Sequence, residues 1–262
     1  MRRTSTGQFP LDFLLERFVH QMLRDDPSGV RRMLAEAVRA GCDPTWLLAE
    51  ILWPAAECLA QLRHDRLVGL RAFNQATRSL VQAAGHLDAR LPAAGPIGRR
   101  VLILTAPGEP GDLGAYVLSI LAEAAGVAAL FAGAGLNATD VLFALSHLQP
   151  DALVIHGSLP VSLPAAETLV AQVQASRWWP QVQIACVGAM LNRPEGLAQR
   201  GDLSSHHPVE LLELLALCPD HRAVPGLEAP GLSMPPGATP SVHAQAIDDL
   251  LRHYFPPRPH VN

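Results

Sequence analysis

Apolar positions recur at helical spacing through the first third of the chain and in short strand-like runs after it. Leu11, Leu14, Leu15, Phe18, Val19 and Leu23 fall on one face of a predicted helix. A second helix is predicted from Pro27 or Ser28 to Ala40, with Gly41 where helices commonly stop. A third starts behind Asp43 as cap, with Pro44 in its first turn, and continues through Trp46, Leu47, Ile51, Leu52, Ala55 and Leu59. A fourth runs from about Leu67 to Leu91. Four antiparallel helices of this length predict a small bundle. Pro92, Gly95, Pro96 and Gly98 then mark a short linker.

From Val101 the pattern alternates. Val101, Leu102, Ile103 and Leu104 make a buried strand, broken by Ala106, Pro107, Gly108, Glu109, Pro110 and Gly111, with Asp112 placed to cap a helix over Leu113 to Ala125. Strand Val127 to Phe131, helix Thr139 to Leu148, strand Ala152 to Ile155, helix Pro164 to Ala175 and strand Val182 to Val187 follow. A short strand near Asp202 and a helix over Pro208 to Leu217 complete the series. Five strands alternating with helices predict a Rossmann-like, flavodoxin-like α/β domain with a parallel five-stranded sheet buried on both faces. Ligands of such sheets sit beyond the carboxyl ends of the strands.

The expected organisation is a helical bundle over 1–92, an α/β domain over 99–220 and a Pro-rich tail with a short terminal helix over 221–262. Within the tail, Val242, Ala246, Leu250 and Tyr254 share a stripe suited to docking on this chain or on another protein.

Composition narrows the function classes. The chain has 262 residues, 49% of them hydrophobic, enough for one large core or two modest ones. A net charge of −4 argues against nucleic-acid binding by bulk charge. Cys42, Cys58, Cys186 and Cys218 lie far apart without metal-like spacing, which predicts a reduced, cytoplasmic protein. Residues 1–8 lack the apolar core of a signal peptide, and no stretch of eighteen apolar residues predicts a membrane span.

Few residues offer chemistry. Glu109 and Asp112 are carboxylates in a turn and at a helix cap, with no nucleophile pattern nearby, so no catalytic residue is assigned and the chain is expected not to be an enzyme. His147 is late in a helix, where its charge suits the carboxyl end. His206 and His207 precede Pro208 in a surface turn whose loop can reach the pocket beyond the strands. Trp178 and Trp179, before Pro180, are expected to close the core at the sheet's rim.

The segment Gly108-Glu109-Pro110-Gly111-Asp112-Leu113-Gly114 resembles the cobalamin-binding loop of the methionine-synthase type, whose pattern is Asp, any residue, His, any two residues, Gly. The final glycine is Gly114 and the acid is present as Glu109, while Gly111 stands where that family has its cobalt-ligating histidine. The order of the bundle resembles the family's helical cap through Gly41, Cys42, Asp43, Pro44, Leu48, Glu50, Leu52 and Pro54. An ungapped reading from Pro54 places Arg63 at the family's upper-face tryptophan and Phe73 and Asn74 at its glutamate–histidine pair. Gly126, the run Phe131 to Gly133 and the pair Pro150-Asp151 also fit, and Gly188 with Ala189 resembles a glycine pair that admits cobalamin's nucleotide tail. The register set by Pro150 and Asp151 puts His156 at a family serine, followed by Gly157, Ser158 and Leu159.

The resemblance implies a cofactor site made of Glu109, Gly111, Asp112, Leu113, Gly114, Gly133, His156, Gly157, Ser158, Leu159, Gly188 and Ala189. It implies His156 as an axial ligand from a new direction, with His147 as second choice, since a neutral imidazole ligates cobalt or iron well. The implied cofactor is cobalamin, with haem as the alternative and a site that holds nothing as a third possibility. In organisation the chain resembles the stand-alone tetrapyrrole-binding antirepressors of purple bacteria. That resemblance implies a sensory protein, responding to light or oxygen, that contacts a transcription repressor and binds neither DNA nor membrane. The cap residues associated with light-sensitive cobalamin are missing here. A ligand-free interaction module and a corrinoid carrier of a methyltransferase system are the alternatives.

Overall fold

The computed structural model describes residues 11–24, 26–92, 94–176, 181–192 and 201–217. Trp178, Trp179, Cys218 and the whole Pro-rich tail with its expected terminal helix lie outside the described residues.

The bundle comprises α1 (Leu11–Leu23), α2 (Pro27–Arg39), α3 (Pro44–Leu47), α4 (Trp53–His64) and α5 (Leu70–Asp88). Asp26 and Asp43 start α2 and α3 by accepting the Gly29 and Thr45 N–H groups at 2.8 and 2.7 Å. Gly41 stops α2 in the left-handed conformation, φ +91°, that glycine adopts without strain. The expected third helix is a continuous rod from Pro44 to His64 interrupted by a π turn over Leu48–Leu52. Pro54 has no N–H to donate, and the Trp53 N–H reaches back five residues to the Leu48 carbonyl.

The α/β domain runs β1 (Arg100–Thr105), α6 (Leu113–Ala124), β2 (Ala128–Gly133), α7 (Ala138–Leu148), β3 (Ala152–His156), α8 (Leu163–Ser176), β4 (Gln183–Val187), β5 (Leu203–Ser205) and α9 (Pro208–Leu217). All neighbouring strands pair in parallel, in the order β2-β1-β3-β4-β5. That is the flavodoxin-like order, which reverses direction between β1 and β3. One expected detail is corrected. Asp112 precedes α6 but makes no capping hydrogen bond, and its Oδ2 points toward Gly133 at the end of β2. The reciprocal cap occurs at α7 instead, between Asn137 and Asp140.

Strand parity divides the core. Leu102, Leu104, Leu153, Ile155, Ile184 and Cys186 pack under α7 and α8. Val101, Ile103, Ala152, Val154, Ala185 and Val187 face the opposite way, toward α6, α9 and the bundle. Nine of the twelve α6 residues are buried because the helix lies between sheet and bundle. The apolar core therefore continues without a break from Phe18 and Met22 of α1, through Trp53 and Leu118, to Val154. No helix among the described residues is long and apolar enough to cross a membrane.

Candidate functional site

Strand parity also decides where His156 goes. It continues the row Ala152, Val154, and its register partner on β1 is Thr105, so both residues end their strands on the bundle side at the reversal point of the sheet. The imidazole is completely buried, and among the described residues neither Nδ1 nor Nε2 has a hydrogen-bond partner. Thr105 Oγ1 beside it is likewise buried without a partner among them. Burial pushes the His156 pKa down to about 3, so the ring is neutral at pH 7. Each buried polar group without a partner costs on the order of 1–3 kcal/mol.

Glycines make the space for that ring. A methyl group on Gly114 would overlap the Cε1 and Nε2 atoms of His156, and one on Gly188 would lie 3.2 Å from its Cδ2. Gly188 also holds φ +107°, a conformation that other residues rarely adopt. A methyl on Gly157 would strike the Met190 thioether. Trp53 closes the side nearest the bundle, packed edge-on with ring centres 4.8 Å apart and planes at 78°.

The bundle is clasped onto this edge at several points. Glu57 of α4 accepts the Ala189 N–H at 2.9 Å. Burial pushes the Glu57 carboxyl up to about 7, against the lowering effect of the Ala189 N–H. Glu50, in the π turn, pairs with His207 at 3.3 Å. Phe73 of α5 lies over Gly111, 3.4 Å from where a methyl there would stand. Glu109 belongs to the sheet domain's own framework. It accepts the Leu159 N–H at 2.9 Å, tying the β1 loop to the β3 loop, and burial raises its pKa.

The structure thus brings most of the sequence-derived residues to one place. Glu109, Gly111, Leu113, Gly114, His156, Gly157, Ser158, Leu159, Gly188 and Ala189 ring the carboxyl ends of β1, β3 and β4. Gly133 and Asp112 meet each other at the β2 side. His147 is elsewhere, near the end of α7, which returns the chain to the start of β3 and so to the opposite edge of the sheet. Its Nδ1 lies 3.0 Å from the Phe143 carbonyl and its ring stacks on Phe143. Of the histidine pair before α9, His207 reaches the bundle and His206 is exposed. Sequence reasoning missed Trp53 and Glu57. Their signal was the spacing of Glu50, Trp53 and Glu57, which puts two acids and an indole on one face of an otherwise apolar rod.

This donor set suits one kind of metal group. Among the described residues no cluster of three or more histidine, cysteine or carboxylate side chains is placed to hold a bare metal ion. A single neutral imidazole with free nitrogens fits a metal whose other ligands come from a macrocycle. The enclosure, by contrast, is shut. The crevice lined by Ala56, Ala60, Phe73, Gly111, Gly114 and Ser158 has about 10 Å³ of room, one water molecule at most.

No family model matches the chain, and no curated protein sequence matches it. Solved structures do. The monomethylamine corrinoid protein of Methanosarcina barkeri aligns with a TM-score of 0.62 at 14% identity, over 79% of this chain and 99% of its own. A cobalamin-binding protein from Desulfitobacterium hafniense DCB-2 aligns with a TM-score of 0.40 at 14% identity, over 77% of this chain and 96% of its own. The methanol:cobalamin methyltransferase complex of Methanosarcina barkeri aligns with a TM-score of 0.39 at 17% identity, over 79% of this chain and 80% of its own. The first likeness shows the fold: a helical bundle joined to a five-stranded parallel Rossmann-like domain, as in a corrinoid protein.

Proposed function

We propose that the chain is a non-catalytic tetrapyrrole-binding regulator, with cobalamin as the first candidate ligand and haem as the second. One observation carries the reading: His156, fully buried with both nitrogens unpaired among the described residues, in a cradle of glycines at the sheet's reversal point. The corrinoid-protein fold supports cobalamin as the ligand class. When bound, the group supplies a cobalt or iron centre that accepts an imidazole nitrogen. His156 is the residue that would hold that centre, and the glycines would let the ring reach it.

The clasp residues then set the response. With only about 10 Å³ between bundle and sheet, entry requires Phe73 to leave Gly111 and Glu57 to leave Ala189. Ligand affinity is spent on separating the two, which shifts the population toward an open form. The surface so exposed would contact a regulatory protein, of the transcription-repressor kind that the antirepressor resemblance implies. A net charge of −4 suits action through a protein rather than on DNA.

A corrinoid carrier for methyl transfer is the second reading, favoured by the alignment along nearly the whole of the monomethylamine corrinoid protein. Against it stands Gly111 at the loop position of the family's cobalt-ligating histidine.

The test is to incubate purified protein separately with hydroxocobalamin and haemin, desalt, and record absorbance and X-ray scattering. The reading expects retained chromophore with a larger radius of gyration than the ligand-free protein. A colourless protein after both incubations would refute it and leave a ligand-free interaction module.

A further inference from the structure

Away from the sheet edge, α1 carries a second feature: its side next to α4 keeps a groove whose walls are Val19 of the bundle core and the half-buried Leu15, Leu23 and Cys58 packed against that core. The groove has a volume of about 380 Å³. Leu15, Val19 and Leu23 form its apolar row at intervals of four residues, and Cys58 of α4 forms its far wall. A parallel row of ionisable residues borders it. Asp12, Glu16 and His20 line the groove and Arg24 follows in the turn after α1, at four-residue spacing and all exposed, with both acids in the first half and both basic residues in the second.

We infer that this face of α1 is the interface of a symmetric homodimer, in which two α1 helices pack antiparallel. An isologous two-fold contact requires a surface complementary to itself. The charge order meets that requirement in one orientation only. Antiparallel packing places Asp12 opposite the second copy's Arg24 and Glu16 opposite its His20, whereas parallel packing sets like charges together. The half-buried Leu15 and Leu23 then lie along the seam and lose their remaining exposure to water. Spacing of four residues also supports a single helix internally, but that role does not account for the groove.

The inference is independent of any tetrapyrrole, and it is tested on the full-length chain by analytical ultracentrifugation across a concentration series. Wild type is expected to shift from monomer to dimer. Asp12→Arg and Arg24→Asp each set like charges against each other at two symmetric positions, and each is expected to weaken the dimer at least about tenfold. The double variant Asp12→Arg/Arg24→Asp restores complementarity and is expected to regain the dimer. Melting curves confirm that all three variants stay folded, since both positions are exposed. A wild type that stays monomeric up to about 100 µM would overturn the inference. So would a dimer that appears only after removal of residues 218–262, which would make the groove the seat of the chain's own tail. Single reversals that leave the dimer unchanged would overturn it as well.

Discussion

The two edges of the sheet hold their histidines in opposite ways. At the amino edge His147 and two aspartates are paired. Asp151 accepts the Arg100 N–H at 2.8 Å, Arg100 donates to the Gln149 carbonyl at 2.9 Å, Asp202 accepts the Ile184 N–H at 2.7 Å, and His147 lies within hydrogen-bond distance of the Phe143 carbonyl. At the carboxyl edge, the His156 and Thr105 side chains are buried with no hydrogen-bond partner among the described residues. The same residue type, histidine, is a satisfied helix-end group at one edge and an orphan in a glycine cradle at the other. Residue identity did not separate them; burial and pairing do. An edge that folds around unsatisfied groups is where a ligand has something to satisfy.

The largest way to break this contrast is to unroof the carboxyl edge. Trp53→Ala removes the indole that packs against His156 and is expected to cost about 3–5 kcal/mol in denaturant unfolding. It should also bring the His156 ring back toward ordinary histidine titration, read by NMR. Gly114→Ala attacks from below. The added methyl collides with the imidazole, and a loss of about 2–3 kcal/mol is expected, largely recovered when His156→Ala is added. Equal costs in both backgrounds would show that Gly114 is needed for some other reason.

Acidity sharpens the contrast further, because two shifted groups at this edge oppose each other. His156 titrates near 3 when folded and about 6.5 when unfolded, so its contribution to stability is present above about 6.5 and is lost as pH falls toward 3. Glu57 is raised from 4.5 to about 7, so its contribution is present below 4.5 and is lost as pH rises to 7. Between 4.5 and 6.5 the two slopes partly cancel. Glu57→Gln is therefore expected to steepen the loss of melting temperature on acidification, and His156→Ala to leave a fall as pH rises. The smallest effect belongs to the amino edge. His147→Ala is expected to change stability by no more than about 0.5 kcal/mol, since the side chain is exposed.

Much of the fold was legible in the sequence because periodicity is strong where helices and strands pack on one core. The bounds of α1, the Asp43 cap, the Gly41 stop and the alternation after Val101 all follow from such local signals. Local signals fail where a distant partner decides. The π turn depends on a proline that the sequence displays but whose consequence is a register shift, and Asp112 reads as a cap yet turns toward Gly133. In the site, the glycines and His156 were legible through the loop pattern and the register from Pro150. The clasp formed by Trp53, Glu57 and Phe73 was not, since those contacts join the bundle to distant loops of the sheet domain, and in the sequence Trp53 and Glu57 leave only a spacing on one helix face.

The proposal that His156, and not His147, would hold a tetrapyrrole metal is open to one direct test. The direct measurement is the absorption spectrum of wild type, His156→Ala and His147→Ala, each loaded with hydroxocobalamin or haemin and desalted. Wild type and His147→Ala are expected to retain the chromophore with one spectrum, while His156→Ala loses it or shifts its bands. Retention with an unchanged spectrum in His156→Ala would contradict ligation by His156.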